Sequence, residues 1–554
     1  HLFACQNCED FMQAVSRSAY ENIGVGVRIR KEPSTFSLFL TNRLGQCGSD
    51  QQITSFVEFT VYKHSRRSPN PVRRLLCLSE TCILERDPST YSVITVRPLL
   101  DVHSLVRDES NPQMFMVEYE SDDVRTYTAT ERDNILASLL DGVRAAGNTD
   151  VHVKMKPTDR GIRMVPYKVH LDEECESLLV KNLTAPPVTQ LREDMVKRFN
   201  TNIPYSGLLY SVTTEGFFQE NKEKLIINCL QAVLAAAEGI RLLEDWEALF
   251  QCLRRLFASK AGFHAFTATP GLREKVGATV IMGLKKSSEA VNHSAIDMLC
   301  ALMQPMHSNY EIRQEQLNKS SLLSSKKFLE HLLEVLSYHI SHGTGALVIT
   351  SMLDFLTYAL CAPYSETTMG EQFDALLDLV ANQGRVLYKL FQYPSMTIVK
   401  GCGLVLRAVI EESEPERSRK MQELALAEGA LLKHLHLALF TQSKDVRMLT
   451  NRQLSRHLVM LWVTGNQAAL DLLDRILPKG LLNFLLSDDD VPINEEEWLC
   501  NRNNLNLAQN ETDQRTSAVT QQLLEVQRAV EKQLDTLLQH WRLRQRLQFL
   551  QKKD

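Results

Sequence analysis

The chain has 554 residues, of which 44% are hydrophobic and 23% are charged, and its formal net charge is −5 at pH 7. This composition is ordinary for a folded protein, and the length corresponds to roughly three or four domains of about 150 residues or to one long repeat array. The small negative charge excludes a chain-wide interaction with nucleic acid, which needs clustered positive charge. We therefore expect any contact with an anion to come from a local basic patch.

Cysteine usage favours a reducing, cytoplasmic compartment. Among 12 cysteines only Cys5 and Cys8 form a C-x-x-C pair, and no second pair or nearby histidine completes a zinc set. No charged and apolar leader follows His1, so we expect no signal peptide. We also expect truncation before His1 and after Asp554, because a helical pattern reaches the last residues without a stop signal.

The first segment, residues 1–30, is predicted to be the closing helix of a truncated domain. Phe11, Val15, Ala19 and Ile23 recur at every fourth residue, which places them on one helical face. Its expected parent is a pleckstrin-homology-like unit whose strands precede His1.

Residues 50–148 are predicted to form a pleckstrin-homology-like domain. Val57, Phe59 and Val61 alternate with polar residues, which is the period of a strand. Further strand-like runs separated by turn signals lie at 75–84, 91–96, 102–106, 114–119 and 124–127; the turn signals are 68–71, 87–89, 111–112 and 121–123. An apolar helical stripe then runs from Ile135 to Val143, with Thr130 as the expected N-cap and Gly147 as the stop.

The rest of the chain is predicted to be mainly helical. Residues 149–215 are irregular and are expected to be a linker that packs on its neighbours. Residues 216–486 contain about a dozen helical segments with mostly short links, which favours an armadillo-like or HEAT-like α-solenoid. The apolar stretch 343–362 resembles a membrane span, but Asp354 at its centre and Pro363 after it favour a helix buried within the array.

Two segments follow the solenoid. Residues 487–516 are acidic and rich in asparagine, which predicts a loop. Residues 517–554 carry an apolar stripe at helical spacing and predict a long final helix. That helix either docks on the solenoid or acts as a coiled-coil or partner-binding helix. The predicted fold class is therefore α+β multidomain, mainly α.

Motifs for catalysis are absent from the sequence. No P-loop, HExxH, GxSxG, EF-hand or GxGxxG pattern occurs. His434 and His436 point about 200° apart on a helix, so they favour core or surface roles over one metal site. His331, His339 and His342 share a face, but no carboxylate or cysteine is evidently placed to complete a site. We predict a protein that is not an enzyme and takes no cofactor or metal.

One basic cluster is a candidate binding site. Five basic residues fall near the turn between the first two predicted strands, and no acidic residue occurs from Phe59 to Ser79. Basic side chains there could neutralise a phosphoinositide phosphate, whereas a solvated hairpin tip without a ligand is the plain alternative. The candidate contacts are Lys63, Arg66, Arg67, Arg73 and Arg74.

Several long runs resemble the receptor-mediated endocytosis 8 family of DnaJ homologues (DnaJ homolog subfamily C member 13), specifically its N-terminal third. The runs are scattered through nearly the whole chain and weaken after about Pro492. They include RIRKEP (28–33), ETCILERDP (80–88), ERDNILASLLDGVRAAGN (131–148), FQENKEKLI (218–226), DMLCALMQPMH (297–307), HGTGALVIT (342–350) and MLTNRQLSRHLV (448–459).

The resemblance implies a scaffold on the cytoplasmic face of early endosomes, acting in receptor-mediated endocytosis, clathrin dynamics and protein sorting. It implies sorting-nexin and WASH-type partners, and Hsc70 through a J domain. The His-Pro-Asp tripeptide of that domain does not occur in this sequence, so we do not expect this chain to stimulate Hsc70 by itself. The family's phosphatidylinositol 3-phosphate contact would lie before His1. The functional prediction is a non-catalytic scaffold, with a phosphoinositide-binding module at 63–74 as the alternative.

Overall fold

The computed structural model describes residues 57–157, 230–303, 322–360, 370–440 and 454–476, with short gaps inside the first, second and last ranges. The described fold is mixed α+β and mainly helical. Two compact units divide the chain, and the described residues fall mainly at 58–379 in one and 380–476 in the other. The predicted helix within 1–30, most of the segment 149–215, the loop 487–516 and the helix 517–554 lie outside the described residues.

One sheet of eight strands begins the first unit. The strands are β1 Val57–Ser65, β2 Ser68–Leu78, β3 Cys82–Arg86, β4 Val93–Pro98, β5 Val102–Arg107, β6 Met114–Tyr119, β7 Val124–Thr128 and β8 Val153–Lys154. Their spatial order is β4-β3-β2-β1-β7-β6-β5-β8. The pairs β2–β3, β3–β4, β1–β7, β6–β7 and β5–β6 are antiparallel, whereas β8 lies parallel to β5.

A helix, α1 (Arg132–Ala145), closes the sheet domain and confirms the predicted amphipathic helix. Its apolar stripe, including Leu136 and Val143, is fully buried. Gly142 allows this close packing, because an added Cβ would lie 2.8 Å from Cδ2 of Leu78. The helix ends at Ala145 with Ala146 as its C-cap, and the predicted stop residue Gly147 follows with a φ of +106°, which suits glycine.

Helices make up most of the remaining described residues. They are α2 Leu243–Ala258, α3 Leu272–Leu284, α4 Glu289–Met303, α5 Lys326–His342, α6 Ala346–Leu360, α7 Gly370–Asn382, α8 Gly384–Tyr388, α9 Met396–Glu412, α10 Pro415–Ala427, α11 Ala430–Phe440 and α12 Gln467–Ile476. Serine N-caps begin two of them: the side chains of Ser325 and Ser395 accept hydrogen bonds from the backbone N–H groups of Phe328 and Ile398.

In the first unit the helical core centres on α4, which packs against both α2 and α6, while α6 also packs against α1. Most residues of α6 are buried, which confirms the prediction of a helix enclosed within the array. Among the described residues, none of the helices has the length and apolar character needed to span a bilayer.

The second unit has its own aromatic core. The rings of Phe391 and Trp462 meet edge to face with centroids 4.8 Å apart. The Tyr388 hydroxyl donates to the Met421 carbonyl at 2.6 Å. His434 lies within this core, with Nδ1 2.8 Å from the Ser455 hydroxyl, so it serves as a packed core histidine.

The structure corrects three sequence predictions about the sheet. The run 75–84 is not one strand, because β2 ends at Leu78 and the Ser79 hydroxyl accepts the N–H of Cys82 to form a turn without glycine or proline. The predicted turn 68–71 is instead the start of β2. The segment predicted to begin at 149 contributes β8, so the sheet extends beyond the predicted end at 148.

One helix prediction also changes: the N-cap of α1 is Glu131, one residue after the predicted Thr130. The break predicted at 382–384 is present, since α7 ends at Asn382 and the short helix α8 begins at Gly384. A 3₁₀ turn, Lys389–Gln392, follows α8.

A matched pair of glycines in α3 tests the packing of the first unit. A Cβ added at Gly283 would lie 2.5 Å from Cε2 of the buried Phe250 ring, whereas one added at Gly277 meets nothing within 4 Å. We predict that Gly283→Ala destabilises the unit by about 1–3 kcal/mol through overpacking. Gly277→Ala should stabilise it by about 0.5–1 kcal/mol through helix propensity. Urea unfolding of both variants measures the two changes in the free energy of unfolding. Equal changes would contradict the close contact between Gly283 and Phe250.

Candidate functional site

The basic hairpin β1–β2 places the predicted anion contacts in different environments. Lys63 reaches inward, and its Nζ lies 2.5 Å from Oε2 of Glu85, a carboxylate whose side chain is only 3% exposed. The Tyr127 hydroxyl donates to the other oxygen of Glu85 at 2.6 Å. Lys63 therefore neutralises a buried carboxylate within the sheet domain, and its charge is already matched there.

The other side of the hairpin is more accessible. Arg73 is exposed, while Arg74 donates to the Arg73 carbonyl at 3.0 Å and lies 3.8 Å from Asp87. Backbone N–H groups of the turn after Asp87 lower the pKa of that carboxyl. Arg66 and Arg67 lie outside the described residues. Among the described members of the predicted cluster, Arg73 is the one best placed to meet an external anion.

A second cluster, absent from the sequence prediction, joins the sheet domain to the helices; we call it the charged junction. At its centre Arg144 of α1 makes two hydrogen bonds to Asp297 of α4, at 2.7 and 2.8 Å. Arg254 of α2 reaches the same carboxylate, with its Nε 3.0 Å from Oδ2. Burial acts to raise the pKa of Asp297, but the two guanidinium groups outweigh it and hold that pKa well below its usual range.

Arg144 also holds the stretch from Asp150 to Met155, which leads from α1 back to the sheet and contains β8; we call it the return segment. Its Nε and Nη2 donate to the carbonyl oxygen of Val151 at 3.0 and 2.9 Å. On the same segment Asp150 lies 3.0 Å from Nε of Arg255, the neighbour of Arg254 on α2. One arginine thus fixes α1, the return segment and α4 together, and its planar fork suits this arrangement.

Helix α2 clamps the return segment further along. The carboxylate of Glu247 accepts the backbone N–H of Met155 at 2.9 Å, and Gln251 donates to the carbonyl of Val153 at 3.2 Å. Burial, aided by the nearby charge of Glu109, raises the pKa of Glu247 to about 8. The Met155 N–H by itself lowers this pKa, but burial outweighs it, so the Glu247 carboxyl is largely protonated at neutral pH.

Two further contacts complete the junction. Arg107 of β5 donates to Glu289 at the start of α4 at 2.8 Å. The buried His293 lies with Nδ1 3.2 Å from the carbonyl of Leu347, and burial lowers its pKa to about 4, so it is neutral at physiological pH. Charged groups from the sheet domain thus meet partners on α2 and α4 across the whole contact.

Within the described residues, no group of three or more histidine, cysteine or acidic side chains is arranged to hold a metal ion. His331 lies 3.7 Å from Glu334, His339 lies 3.1 Å from the Thr344 hydroxyl, and the ring of His342 stacks on Tyr338 with centroids 4.1 Å apart. These histidines therefore have separate local partners.

Sequence reasoning missed the charged junction, although a signal was present. Arg254 and Arg255 interrupt the apolar second half of α2, and Asp297 lies within the apolar second half of α4. A charge among buried apolar residues of a helix is expected to have an opposite charge from another element. That partner, Arg144, is 153 positions away from Asp297, so its identity could not be read from local pattern.

Comparisons with known proteins agree on one family. A family model described as the DNAJ protein RME-8 4th domain matches residues 170–303, which include α2 to α4 and the Asp297 side of the junction. The chain is similar to DnaJ homolog subfamily C GRV2 of Arabidopsis thaliana, with 27% identity over 470 residues, 76% of this chain. It spans 18% of the length of that relative.

Two solved structures of engineered proteins from the Northeast Structural Genomics Consortium also align at 12% identity. One covers 53% of this chain and 98% of its own, with a TM-score of 0.35. The other covers 65% and 94%, with a TM-score of 0.28.

Replacing Arg144 tests how much the charged junction contributes to the free energy of unfolding. We predict that Arg144→Met destabilises the first unit by about 3–5 kcal/mol, because it leaves Asp297 buried with one guanidinium fewer. Arg385→Met is the matched control, since Arg385 is 78% exposed and lies 3.8 Å from Glu428; its effect should stay below about 1 kcal/mol. Urea unfolding gives both values, and similar losses would show that the junction contributes little.

The raised pKa of Glu247 predicts that the stability of the first unit depends on pH. Its pKa in the folded state is about 8, above the ordinary value of 4.5, so folding favours the protonated form. The contribution of Glu247 to stability is full below about pH 4.5 and is lost as pH rises to about 8, with a slope of up to about 1.4 kcal/mol per pH unit. We predict that Glu247→Gln flattens the fall between pH 6.5 and 8 in thermal unfolding.

The control for this measurement is Glu244→Gln on the same helix, where Glu244 pairs with Lys156 near the surface. That variant should keep the slope of the unsubstituted chain. An unchanged slope in Glu247→Gln would show that Glu247 does not titrate in this range.

Proposed function

Since this chain belongs to the RME-8 family of DnaJ homologues, we propose that it is a non-catalytic scaffold region of an endosomal J-domain co-chaperone. Its role is to hold other modules of the longer protein in fixed relation and to present surfaces to sorting proteins. The observation that carries the proposal is the charged junction, in which Arg144 ties the closing helix of the sheet domain to α4. A rigid connection of this kind is what a spacer between working modules needs.

The finer fold assignment is part of the proposal. A strand order of β4-β3-β2-β1-β7-β6-β5 with one closing amphipathic helix supports a pleckstrin-homology-like domain at 50–148, extended by β8. Short links join many of the helices, and helices that follow each other in sequence pack together, such as α5 on α6 and α9 on α10. This pattern supports armadillo-like repeats in 216–486.

The proposed setting follows from the family. The longer protein would act at the cytoplasmic face of early endosomes in receptor-mediated endocytosis, clathrin dynamics and protein sorting. Its partners would include sorting-nexin and WASH-type proteins, and it would engage Hsc70 through a J domain elsewhere in its sequence. In this scheme the described region works by binding, without a covalent step.

A test of the scaffold uses the full-length protein carrying Arg144→Met, with Arg385→Met as its surface control. We predict that the Arg144 variant keeps J-domain stimulation of Hsc70 ATP hydrolysis but loses sorting of endocytosed receptors in cells that lack the endogenous protein. The Arg385 variant should keep both activities. The scaffold role would be contradicted if hydrogen exchange showed a loosened junction in the Arg144 variant while receptor sorting stayed normal.

The alternative function, phosphoinositide binding by the hairpin 63–74, is supported by the exposure of Arg73 and of the neighbouring residues 69–71. We predict that Arg73→Glu lowers sedimentation with phosphoinositide vesicles at least about fivefold, given roughly 1 kcal/mol per basic residue near an anionic surface. Lys63→Gln should instead lower stability, because Lys63 is paired with buried Glu85. Unchanged sedimentation of Arg73→Glu would remove the lipid hypothesis.

A further inference from the structure

One edge of the sheet, strand β4, is open among the described residues. On one side β4 pairs with β3, with Cys82 opposite Pro98 and Arg86 opposite Val93, and β4 stands last in the strand order. Within the described part of the chain, the backbone of residues 93–97 bonds to no element other than β3. An open edge presents backbone N–H and C=O groups to which another extended segment can bond.

The open edge carries a cluster of exposed apolar side chains. Eleven large hydrophobic residues are exposed in the described part of the chain, and five of them fall between residues 91 and 100. They are Tyr91, Val93, Ile94, Val96 and Leu100, each with between 41% and 49% of its surface exposed. Scattered apolar residues are ordinary on a protein surface, whereas a cluster along a strand edge marks a surface that binds another chain.

The usual protections of an open edge are weak in β4. Arg97 is the one charged residue of the strand, and its Nη2 lies 2.5 Å from Oδ2 of Asp123. A register shift against β3 gives β4 one extra residue, Ile94, and leaves that apolar side chain exposed. Pro98 cannot donate to a ladder and ends the strand, so residues 93–97 are available for pairing.

The sequence of β4 suits pairing with a second copy of itself. In an antiparallel pair centred on Thr95, Ile94 of each copy lies opposite Val96 of the other, and the two Thr95 residues face each other. Arg97 lies opposite Val93, so no like charges meet. Apolar pairs and threonine pairs at such positions stabilise neighbouring strands. The two strands therefore offer each other the same contacts, as a two-fold interface requires.

The opposite edge of the sheet favours a closed pair over a filament. That edge is the return segment with β8, which is bonded to side chains of α2: Glu247 accepts the Met155 N–H, and Gln251 donates to the Val153 carbonyl. Contact of β4 with β8 of the next copy would continue head to tail. Contact of β4 with β4 ends at two copies and leaves the α2 contacts intact.

We propose that β4 is a self-association edge, through which two copies of this chain join their sheets across a two-fold axis with the β4 strands antiparallel. The shared edge is short, so the dimer is weak and reversible. The proposal concerns the sheet domain alone. It rests neither on the scaffold role nor on phosphoinositide binding.

Analytical ultracentrifugation of the whole chain measures the association. We expect the weight-average mass to rise from that of one chain towards that of two as the concentration increases from about 2 to 200 µM. Ile94→Lys should weaken the dimer at least about tenfold, because the change acts at two symmetry-related positions and sets a charge against Val96. Leu243→Lys is the matched control, since Leu243 of α2 is exposed to a similar extent, 42%; it should leave the association unchanged.

Two double variants test the register. Ile94→Lys combined with Val96→Glu places opposite charges across the two-fold at both symmetry-related positions, so it should associate more tightly than Ile94→Lys alone. Ile94→Lys combined with Val96→Lys places like charges there and should stay monomeric at the same concentrations. Circular dichroism and thermal unfolding show whether each variant is folded.

Hydrogen exchange gives a readout that needs no variant. In the unsubstituted chain, the backbone amides of residues 93–97 should gain protection as the concentration rises, while those of α5 (Lys326–His342) should not change.

Four results would overturn the proposal. A chain that stays monomeric throughout would leave the edge to an extended peptide of another protein. Association without added protection at 93–97, or association that Ile94→Lys does not weaken, would show that the copies meet at another surface. Equal association of the two double variants would exclude the antiparallel pairing centred on Thr95.

Discussion

The described structure of the first unit depends on the ion pair between Arg144 and Asp297. Both groups are largely withdrawn from solvent, and their cost of desolvation is met by a bidentate pair with a second guanidinium from Arg254. Because Arg144 also donates to the Val151 carbonyl, the same side chain fixes the path by which the chain leaves the sheet domain. The bidentate pair and the bonds to Val151 constrain the position of α1 relative to α4 through four hydrogen bonds from one side chain.

Several other features follow from that constraint. Strand β8 is only two residues long and pairs parallel with β5, which is a weak interaction by itself. It persists because Asp150 before it and Met155 after it are held by Arg255 and Glu247 of α2. Contacts with α2 therefore stabilise the eighth strand. The segment that contains β8 belongs to the sheet and also packs on the helical region.

Local patterns were sufficient to predict most of the secondary structure seen in the described residues. Alternation around Val57 to Val61 predicted β1, and the apolar stripe from Ile135 to Val143 predicted α1, because each signal lies within one element. The turn at Ser79 was missed, since its hydroxyl replaces the glycine or proline that usually marks a turn. The pleckstrin-like and armadillo-like assignments remain part of the proposed function.

Long-range charge pairing was beyond the sequence. Lys63 was predicted to be an anion contact because its neighbours in sequence are basic, yet its partner Glu85 lies 22 positions later on β3. The lipid role of the remaining arginines stays a prediction. Asp297 and Arg144 likewise meet only in the tertiary structure, 153 positions apart, and no local sequence pattern indicates such a pair.

The most direct test of the central claim is a distance measurement across the junction. Spin labels introduced as non-canonical amino acids at the exposed positions Ser92 and Glu334 would report the separation of the sheet domain and α5 by pulsed electron paramagnetic resonance. We predict one narrow distance distribution in the unsubstituted chain and a broad one in Arg144→Met. A broad distribution in the unsubstituted chain, or an equally narrow one in the variant, would contradict the account.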